Sequence, residues 1–284
     1  MQGTHRQLTF FYPGKRFPAV SVTGANCALQ CDYCQGRYLE GMIAVRSEEE
    51  LLELAINLQR QEASGFLLSG GCDKRGRIPL APYVGAVRRI KSEIRLKVNL
   101  HTGLLDEEEA VWLVSSGADC YSVDIVQDEQ AIKEILHLNE GPEAYSRTLD
   151  ALFKAGAKHV APHLCLGLTG EETEAEARSI ELLSRHPISS LALLAFRPTR
   201  RTPMANMPAP SREHILKLVD LAVKELQCPV LLGCMRARGD WELEKECIEQ
   251  GVSGIAMPSR RTVEWAKKNG YLVQREERCC ALYL

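Results

Sequence analysis

Short apolar runs alternate along the chain with longer stretches in which apolar residues recur every three or four positions. Eight of the runs are short enough to be strands: AVSVTG, GFLLSG, RLKVNL, CYSVDIV, HVAPHLCLG, LALLAF, PVLLGC and GVSGIAM. Most are nearly continuous in apolar residues, which is typical of parallel strands covered by helices. The pattern predicts eight strands, each followed by an amphipathic helix.

Capping residues mark the expected helix ends. Ser47 precedes three glutamates, and Asp106 with Glu109 forms the spacing of a capping box. Ser211 and Ser259 stand before two further amphipathic stretches. Glycines are expected to end helices at Gly65, Gly117, Gly156, Gly251 and Gly270.

Regular repetition of a strand and a helix predicts an α/β fold of the (β/α)8 TIM-barrel type. We expect one domain over residues 1–284, with the barrel at about 18–270 and a carboxyl-terminal tail at 271–284. An open doubly wound sheet is compatible with the same alternation. In both folds the chemistry belongs at the carboxyl ends of the strands.

Composition narrows the class of protein. The 284 residues carry a formal net charge of −2, which argues against a general nucleic-acid binder. The sequence starts without the apolar core of a signal peptide, and no run has the length of a membrane span. We therefore expect a soluble, cytoplasmic protein that acts on neither nucleic acid nor membrane. Eleven cysteines in that compartment indicate metal or redox chemistry rather than disulfides.

Three of these cysteines follow the first predicted strand with the spacing C-x3-C-x2-C: Cys27, Cys31 and Cys34. A structural zinc site normally takes four ligands, and no second C-x2-C occurs in the chain. Three thiolates suit a [4Fe–4S] cluster with one iron left open for another ligand. A zinc loop with a distant fourth ligand, or unrelated thiols, are the alternatives.

The spacing, with Tyr33 directly before the last cysteine, resembles the radical S-adenosylmethionine (SAM) superfamily. The resemblance implies that the open iron binds the amine and carboxylate of the methionyl group of SAM. An electron from the cluster then cleaves SAM to methionine and a 5′-deoxyadenosyl radical that abstracts hydrogen.

Two further motifs resemble cofactor-binding segments of this family. Ser69-Gly70-Gly71 resembles the glycine motif that binds the methionyl amine, although an ordinary turn would look the same. The segment after the fifth predicted strand resembles the motif that packs against adenine. It places three residues near the base: Cys165, Gly167 and Leu168.

Polar residues at two strand ends are candidates for catalysis or binding. Asn99 and His101 share one strand face, so His101 is a candidate for substrate binding or proton transfer. Asp124 suits the ribose hydroxyls of SAM, or else caps the next helix. His163 shares a face with Cys165. A histidine with a purely structural role is the alternative for both histidines.

The chain resembles biotin synthase-like members of the superfamily almost end to end. Arg236 matches the arginine that biotin synthase carries inside the barrel, and is a third catalytic candidate with His101 and Asp124. Two positions where biotin synthase has cysteines for a second, sacrificial cluster read Asn99 and Ala161. Biotin synthesis is therefore not expected.

Other cysteines are candidates for an auxiliary cluster. If the tail folds back over the barrel mouth, Cys279 and Cys280 lie near Cys234, with Cys72 as a suggested fourth ligand. The alternative is that the tail cysteines have only a structural role, as exposed tail residues do.

A second cluster in such a barrel resembles the two-component lipoyl synthases, which insert sulfur into a carrier-bound octanoyl chain. The resemblance implies an electron donor such as ferredoxin or flavodoxin, an acidic lipoyl-carrier protein and a second radical SAM subunit. A basic group of residues near two strand ends suits an acidic carrier, or is simply solvated: Arg197, Arg200, Arg201, Arg260 and Arg261. The alternatives are methylation or rearrangement by a radical SAM enzyme, and a non-catalytic zinc- or cluster-binding protein such as an electron carrier.

Overall fold

The computed structural model describes residues 7–283. Within them, the strands are β1 (Gln7–Phe11), β2 (Ala19–Ser21), β3 (Ile43–Ala44), β4 (Gly65–Ser69), β5 (Lys97–His101), β6 (Cys120–Ser122), β7 (His163–Leu166), β8 (Leu191–Ala195), β9 (Val230–Leu232), β10 (Gly254–Ala256) and β11 (Leu272–Glu276). Each of the eight predicted runs contains a strand. The structure adds β1 before residue 18, the short β3, and β11 inside the segment predicted as tail.

The strands form two parallel sheets that enclose a common interior. One has the order β3-β2-β4-β5-β6, and the other has the order β11-β1-β10-β9-β8-β7. Two isolated parallel bridges, Tyr121 with Val160 and Asp124 with His163, connect the sheets between β6 and β7. The architecture is that of a TIM-type α/β barrel, as the alternation predicts.

In the described part of the chain, eight α-helices lie outside the sheets: α1 (Glu48–Arg60), α2 (Val84–Glu93), α3 (Glu107–Ser115), α4 (Glu143–Lys154), α5 (Thr173–Ser184), α6 (Arg212–Glu225), α7 (Trp241–Gln250) and α8 (Arg260–Lys268). The predicted caps are present. Ser47, Ser211 and Ser259 each accept a backbone N–H at the start of a helix, and Asp106 with Glu109 makes both bonds of a capping box. Gly65 is an exception, because it opens β4 rather than ending α1.

The tail, residues 278–283, lies inside the barrel. It follows Glu277, whose carbonyl accepts a hydrogen bond of 2.5 Å from Ser64 Oγ just before β4. The tail therefore enters at the amino ends of the strands. Cys280, Ala281 and Leu282 are all buried.

Small side chains in the barrel wall explain this position. Ala192, Ala256 and Ala161 contact the tail together with larger neighbours, and would enclose a void without it. Close packing favours filling that void with apolar side chains. The prediction that the tail covers the barrel mouth is wrong, since the mouth lies at the opposite, carboxyl ends of the strands.

Among the described residues, no helix combines the length and the apolar character that crossing a bilayer requires.

Candidate functional site

The loop after β2 brings the three predicted cluster cysteines to the carboxyl end of the barrel. A tight turn holds two of them: the N–H groups of Cys34 and Gln35 both donate to the carbonyl of Cys31, at 3.0 and 2.8 Å. Gly36 continues the turn with a φ of 74°, in the left-handed region that glycine favours. Cys31 and Cys34 are buried and Cys27 is half-buried.

Hydrogen bonds in this turn favour the thiolate form of Cys34. A hydrogen bond from the Cys31 thiol, with a further one from the backbone of Gly36, lowers the pKa of Cys34 to about 7. The same bond and burial raise the pKa of Cys31. Since the thiolate is the form that binds iron, the turn favours metal binding at Cys34 near neutral pH.

Gly71 allows this loop to approach β4 closely. A Cβ on Gly71 would lie 2.0 Å from the Asn26 carbonyl oxygen and 2.6 Å from Cys27 Cα. The Gly71 N–H donates to Thr23 Oγ1 at 2.7 Å. The glycine motif therefore positions the cysteine loop itself. The sequence did not identify Thr23 as the hydrogen-bond acceptor of the Gly71 N–H.

Cys72 belongs to the same loop region. Its carbonyl accepts the Ala28 N–H at 2.7 Å, and burial together with the nearby Cys27 raises the pKa of its thiol. The structure places Cys72 with the cysteine loop rather than with the tail, which argues against Cys72 as an auxiliary ligand beside Cys279 and Cys280.

Two histidines and one aspartate meet at the ends of three neighbouring strands. Asp124 Oδ1 lies 3.5 Å from His101 Nε2 and 3.7 Å from His163 Nδ1, and the two rings stack with centroids 5.4 Å apart. Burial acts to raise the pKa of Asp124, but the two imidazoles outweigh it and hold that pKa well below its usual range. Burial likewise acts to lower the pKa of His101, and Asp124 outweighs it, so the net shift is upward.

Three further side chains surround this group. Burial raises the pKa of Tyr33, Cys165 and Tyr145, and the charge of Asp124 raises each further. Tyr33, Cys165 and Tyr145 therefore all lie within electrostatic range of Asp124. Tyr145 lies on α4 at a position that reads as an ordinary buried helix residue, so the sequence offered no signal for it.

The buried carboxylate of Glu176 fixes the loop after β7 through a hydrogen bond from the backbone. The Gly167 N–H donates to Glu176 Oε1 at 2.5 Å, and Glu176 Oε2 lies 2.8 Å from His214 Nε2. Burial raises the pKa of Glu176 to about 7. Gly167 has a φ of 75°, and a Cβ there would meet Pro210 at 2.6 Å. Leu168 next to it is buried, so two helices fix the predicted adenine segment.

The donor set of the cysteine loop fits a cluster better than a single ion. Among residues 7–283, the loop cysteines do not form a group whose ligand atoms lie within 4.8 Å of one another, as one zinc ion would require. In a cluster each iron takes its own cysteine, so the thiolates lie farther apart. Cys27, Cys31 and Cys34 would hold three irons of a [4Fe–4S] cluster.

A family comparison decides the class of protein. The model of the radical SAM superfamily matches residues 21–183, more than half of the chain, from β2 into α5. The chain belongs to the radical SAM superfamily. Membership implies a [4Fe–4S] cluster and SAM as cofactors.

Among curated proteins, this radical SAM chain is similar to biotin synthases at low identity. It is 25% identical to that of Marinobacter nauticus over 249 residues, which cover 83% of this chain and 68% of the relative. The match to that of Leptospira interrogans is 27% over 140 residues, or 48% of this chain. The chain spans 40% of the length of this second relative.

Solved structures show the same fold. HydG, a maturase of the [FeFe]-hydrogenase, superposes with a TM-score of 0.66 at 19% identity, covering 94% of this chain and 64% of HydG. Methylornithine synthase (PylB) superposes with a TM-score of 0.60 at 16% identity, covering 90% and 72%. At these identities the likeness concerns the fold alone.

Arg236 of this radical SAM chain is buried and paired with groups of the protein itself. It is 1% exposed, and Nη1 donates to the carbonyls of Gly233 and Ala256 at 2.6 and 2.7 Å. Nη2 donates to Glu244 Oε1 at 2.6 Å, and Glu244 Oε2 in turn accepts from Thr262. The prediction of a catalytic arginine is corrected accordingly, because its guanidinium joins β9 and β10 to the helix layer.

We expect Arg236→Met to destabilise the fold by about 3 kcal/mol, since it leaves the Glu244 carboxylate buried without its cation. Urea unfolding monitored by circular dichroism measures the change. The control Arg260→Met removes an exposed ion pair with Glu264 and should cost less than about 1 kcal/mol. Equal stability of Arg236→Met and the parent protein would contradict the structural role.

The tail brings the Cys279 thiol close to Asn99 on β5 and within electrostatic range of His163 on β7. Asn99 Nδ2 donates to Cys279 Sγ at 3.9 Å, and Ser122 Oγ donates to Asn99 Oδ1 at 2.9 Å. A hydrogen bond from the Cys280 thiol lowers the pKa of Cys279 to about 6 despite burial, and the nearby His163 acts in the same direction. These interactions favour the thiolate form of Cys279 over that of Cys280.

Cys234 is the third thiol of this group. Burial raises its pKa and the charge of Cys279 adds to the rise, while Cys234 in turn raises the pKa of Cys280. Cys234 therefore lies within electrostatic range of Cys279 and Cys280, and the use of the three thiols as ligands of one cluster stays a prediction.

Proposed function

We propose that this radical SAM enzyme inserts sulfur into an acyl chain bound to a carrier protein, in the manner of the lipoyl synthases. The observation that supports the proposal is the tail inside the barrel. In the tail, Cys279 accepts a hydrogen bond from Asn99 on β5, and Cys280 lies within electrostatic range of Cys234. An auxiliary cluster on these thiols would lie where a substrate radical forms.

In this proposal, the cysteine loop after β2 and the tail thiols have different roles. When bound, the loop cluster supplies the electron for SAM cleavage and the auxiliary cluster supplies sulfide. Asn99 orients the Cys279 thiolate, and the loop after β7 orients the adenine end of SAM. Tyr33 and Tyr145, whose hydroxyls are buried near Asp124, would help to keep water away from the bound SAM.

The mouth of the barrel suits an acidic carrier. Arg197, Arg200 and Arg201 are exposed after β8, and Arg260 and Arg261 are exposed at the start of α8. Such a basic rim would attract an acidic carrier domain and speed its docking. Ferredoxin or flavodoxin as electron donor, and a second radical SAM subunit, are parts of the same proposal.

One observation favours a second candidate function. Cys280 packs among apolar side chains, namely Phe11, Ala192, Leu231 and Ala256, as a core thiol does. With the tail purely structural, the enzyme would hold one cluster and catalyse another hydrogen-abstraction reaction, such as a rearrangement or a methylation.

The double variant Cys279→Ala/Cys280→Ala separates the two candidates. We expect iron per reconstituted chain to fall from about eight atoms to about four, because the auxiliary cluster loses two thiolates. Formation of 5′-deoxyadenosine should continue, while sulfur transfer to a carrier-bound octanoyl chain should stop. Iron and sulfide analysis with mass spectrometry of the carrier measures both.

The variant Cys228→Ala is the matched control, since this half-buried thiol lies outside both cysteine groups. It should keep full iron and full activity. Unchanged iron and unchanged product pattern in the double variant would support the second candidate and overturn the sulfur-insertion proposal.

A further inference from the structure

We propose that His101, Asp124 and His163 bind a divalent transition-metal ion, separate from any iron–sulfur cluster. Their ligand atoms lie within 4.8 Å of one another, where β5 ends, just after β6 ends and where β7 begins. This inference goes beyond the proposed function and does not depend on it.

The spacing of the three ligand atoms matches a metal ion better than direct hydrogen bonds. The distances of 3.5 and 3.7 Å from Asp124 Oδ1 to His101 Nε2 and His163 Nδ1 are long for N–H···O contacts. Ligand atoms about 2.1 Å from one tetrahedral ion lie roughly 3.4 Å apart. An ion between the three groups would need little movement of any side chain.

The backbone fixes the three residues relative to one another. His101 is the last residue of β5, and the isolated bridge pairs Asp124 with His163 across the junction of the two sheets. A site on adjacent strands is preorganised, since the sheet sets the separation of its side chains.

A second interaction orients one ligand. His101 Nδ1 lies 3.4 Å from Ser69 Oγ, while Nε2 of the same ring faces Asp124. Metal-binding histidines usually use their other ring nitrogen in this way, which fixes the tautomer and the ring plane. The pattern gives Ser69 a supporting role in the site.

The donor set selects the class of ion. Two imidazoles and one carboxylate suit zinc or iron(II), whereas magnesium and calcium prefer sites made only of oxygen ligands. The Asp124 side chain is 54% exposed, and both histidines are partly accessible. Open coordination positions of the ion would therefore be accessible to a heteroatom of the substrate.

The test measures metal binding by the full-length, cluster-reconstituted protein under anaerobic conditions. We expect it to bind one additional Zn2+ per chain by isothermal titration calorimetry. Co2+ at the same site should give ligand-field bands without thiolate charge-transfer absorption, which distinguishes it from a cysteine site. His101→Ala and His163→Ala should weaken binding more than about 100-fold, and Ser69→Ala about 10-fold.

Matched variants control for folding and for the cysteines. His186→Ala alters a histidine held by Asp150 on the outside of the barrel and should bind zinc normally. His163→Gln keeps the size of the side chain, so it replaces His163→Ala if that variant does not fold. Cys279→Ala/Cys280→Ala should also bind zinc normally, whatever happens to its sulfur-transfer activity.

Two results would overturn the proposal. One is a parent protein that binds no zinc beyond its clusters. The other is binding that is equally strong in the His101 and His163 variants, which would assign the ion to other groups and leave Asp124 for the ribose of SAM.

Discussion

Replacement of Cys31 by alanine should abolish the formation of 5′-deoxyadenosine from SAM. The Cys31 carbonyl anchors the turn that presents Cys34, and the two thiols share a hydrogen bond. Loss of one thiolate leaves a second iron without a protein ligand, so the cluster should not assemble in a form that binds SAM. We expect activity to fall below detection, and the same result for Cys27→Ala and Cys34→Ala.

Chromatographic assay of 5′-deoxyadenosine under reducing, anaerobic conditions measures this effect. Cys247→Ala is a suitable control, because this thiol is fully buried on α7 and lies on the outer side of the barrel. It should retain SAM cleavage with at most a loss of stability. Continued cleavage by any one of the three loop variants would contradict the assignment of the cluster ligands.

Gly71→Val should remove the cluster rather than only weaken SAM binding. The nearest atoms to the added Cβ would be backbone atoms of Asn26 and Cys27, at distances that no real contact allows. The loop would have to move away from β4 and take Cys27 with it. We expect the variant to lose most of its iron and all SAM cleavage while the barrel remains folded.

Iron analysis and circular dichroism of the purified variant test this result. Gly41→Val provides the control, since a Cβ at Gly41 meets no atom within 4 Å. That variant should keep its iron. A Gly71→Val protein with full iron but poor SAM binding would show that the glycine serves the cofactor cleft and not the cysteine loop.

Periodicity and local motifs account for most of the fold. The eight strands, the caps at Ser47 and Asp106, and the cysteine loop could all be predicted, because each depends on residues close together in the sequence. The edge strand β11 and its neighbour β1 were missed. They pair with each other across almost the entire chain, and β11 is mostly exposed and polar, so it lacks the apolar run that marks a buried strand.

Fewer contacts of the candidate site could be predicted, because they join residues that are far apart in the sequence. The partners of Arg236 come from β10 and α7, and the neighbours of Tyr145 come from the cysteine loop. Only three-dimensional packing brings these groups together. The local sequence of Arg236 identifies its strand, but it contains no information on whether the guanidinium meets a substrate or a buried glutamate.

The position of residues 278–283 determines the order in which parts of the barrel can pack during synthesis. This segment leaves the ribosome after every strand of the barrel, yet it fills the centre that those strands enclose. A nascent chain that has completed β11 would already contain both sheets around an unfilled interior. Final packing then depends on contacts of long sequence separation, which form slowly. The barrel would therefore be hollow for a time during synthesis, with its lower end open to solvent until residues 278–283 enter it.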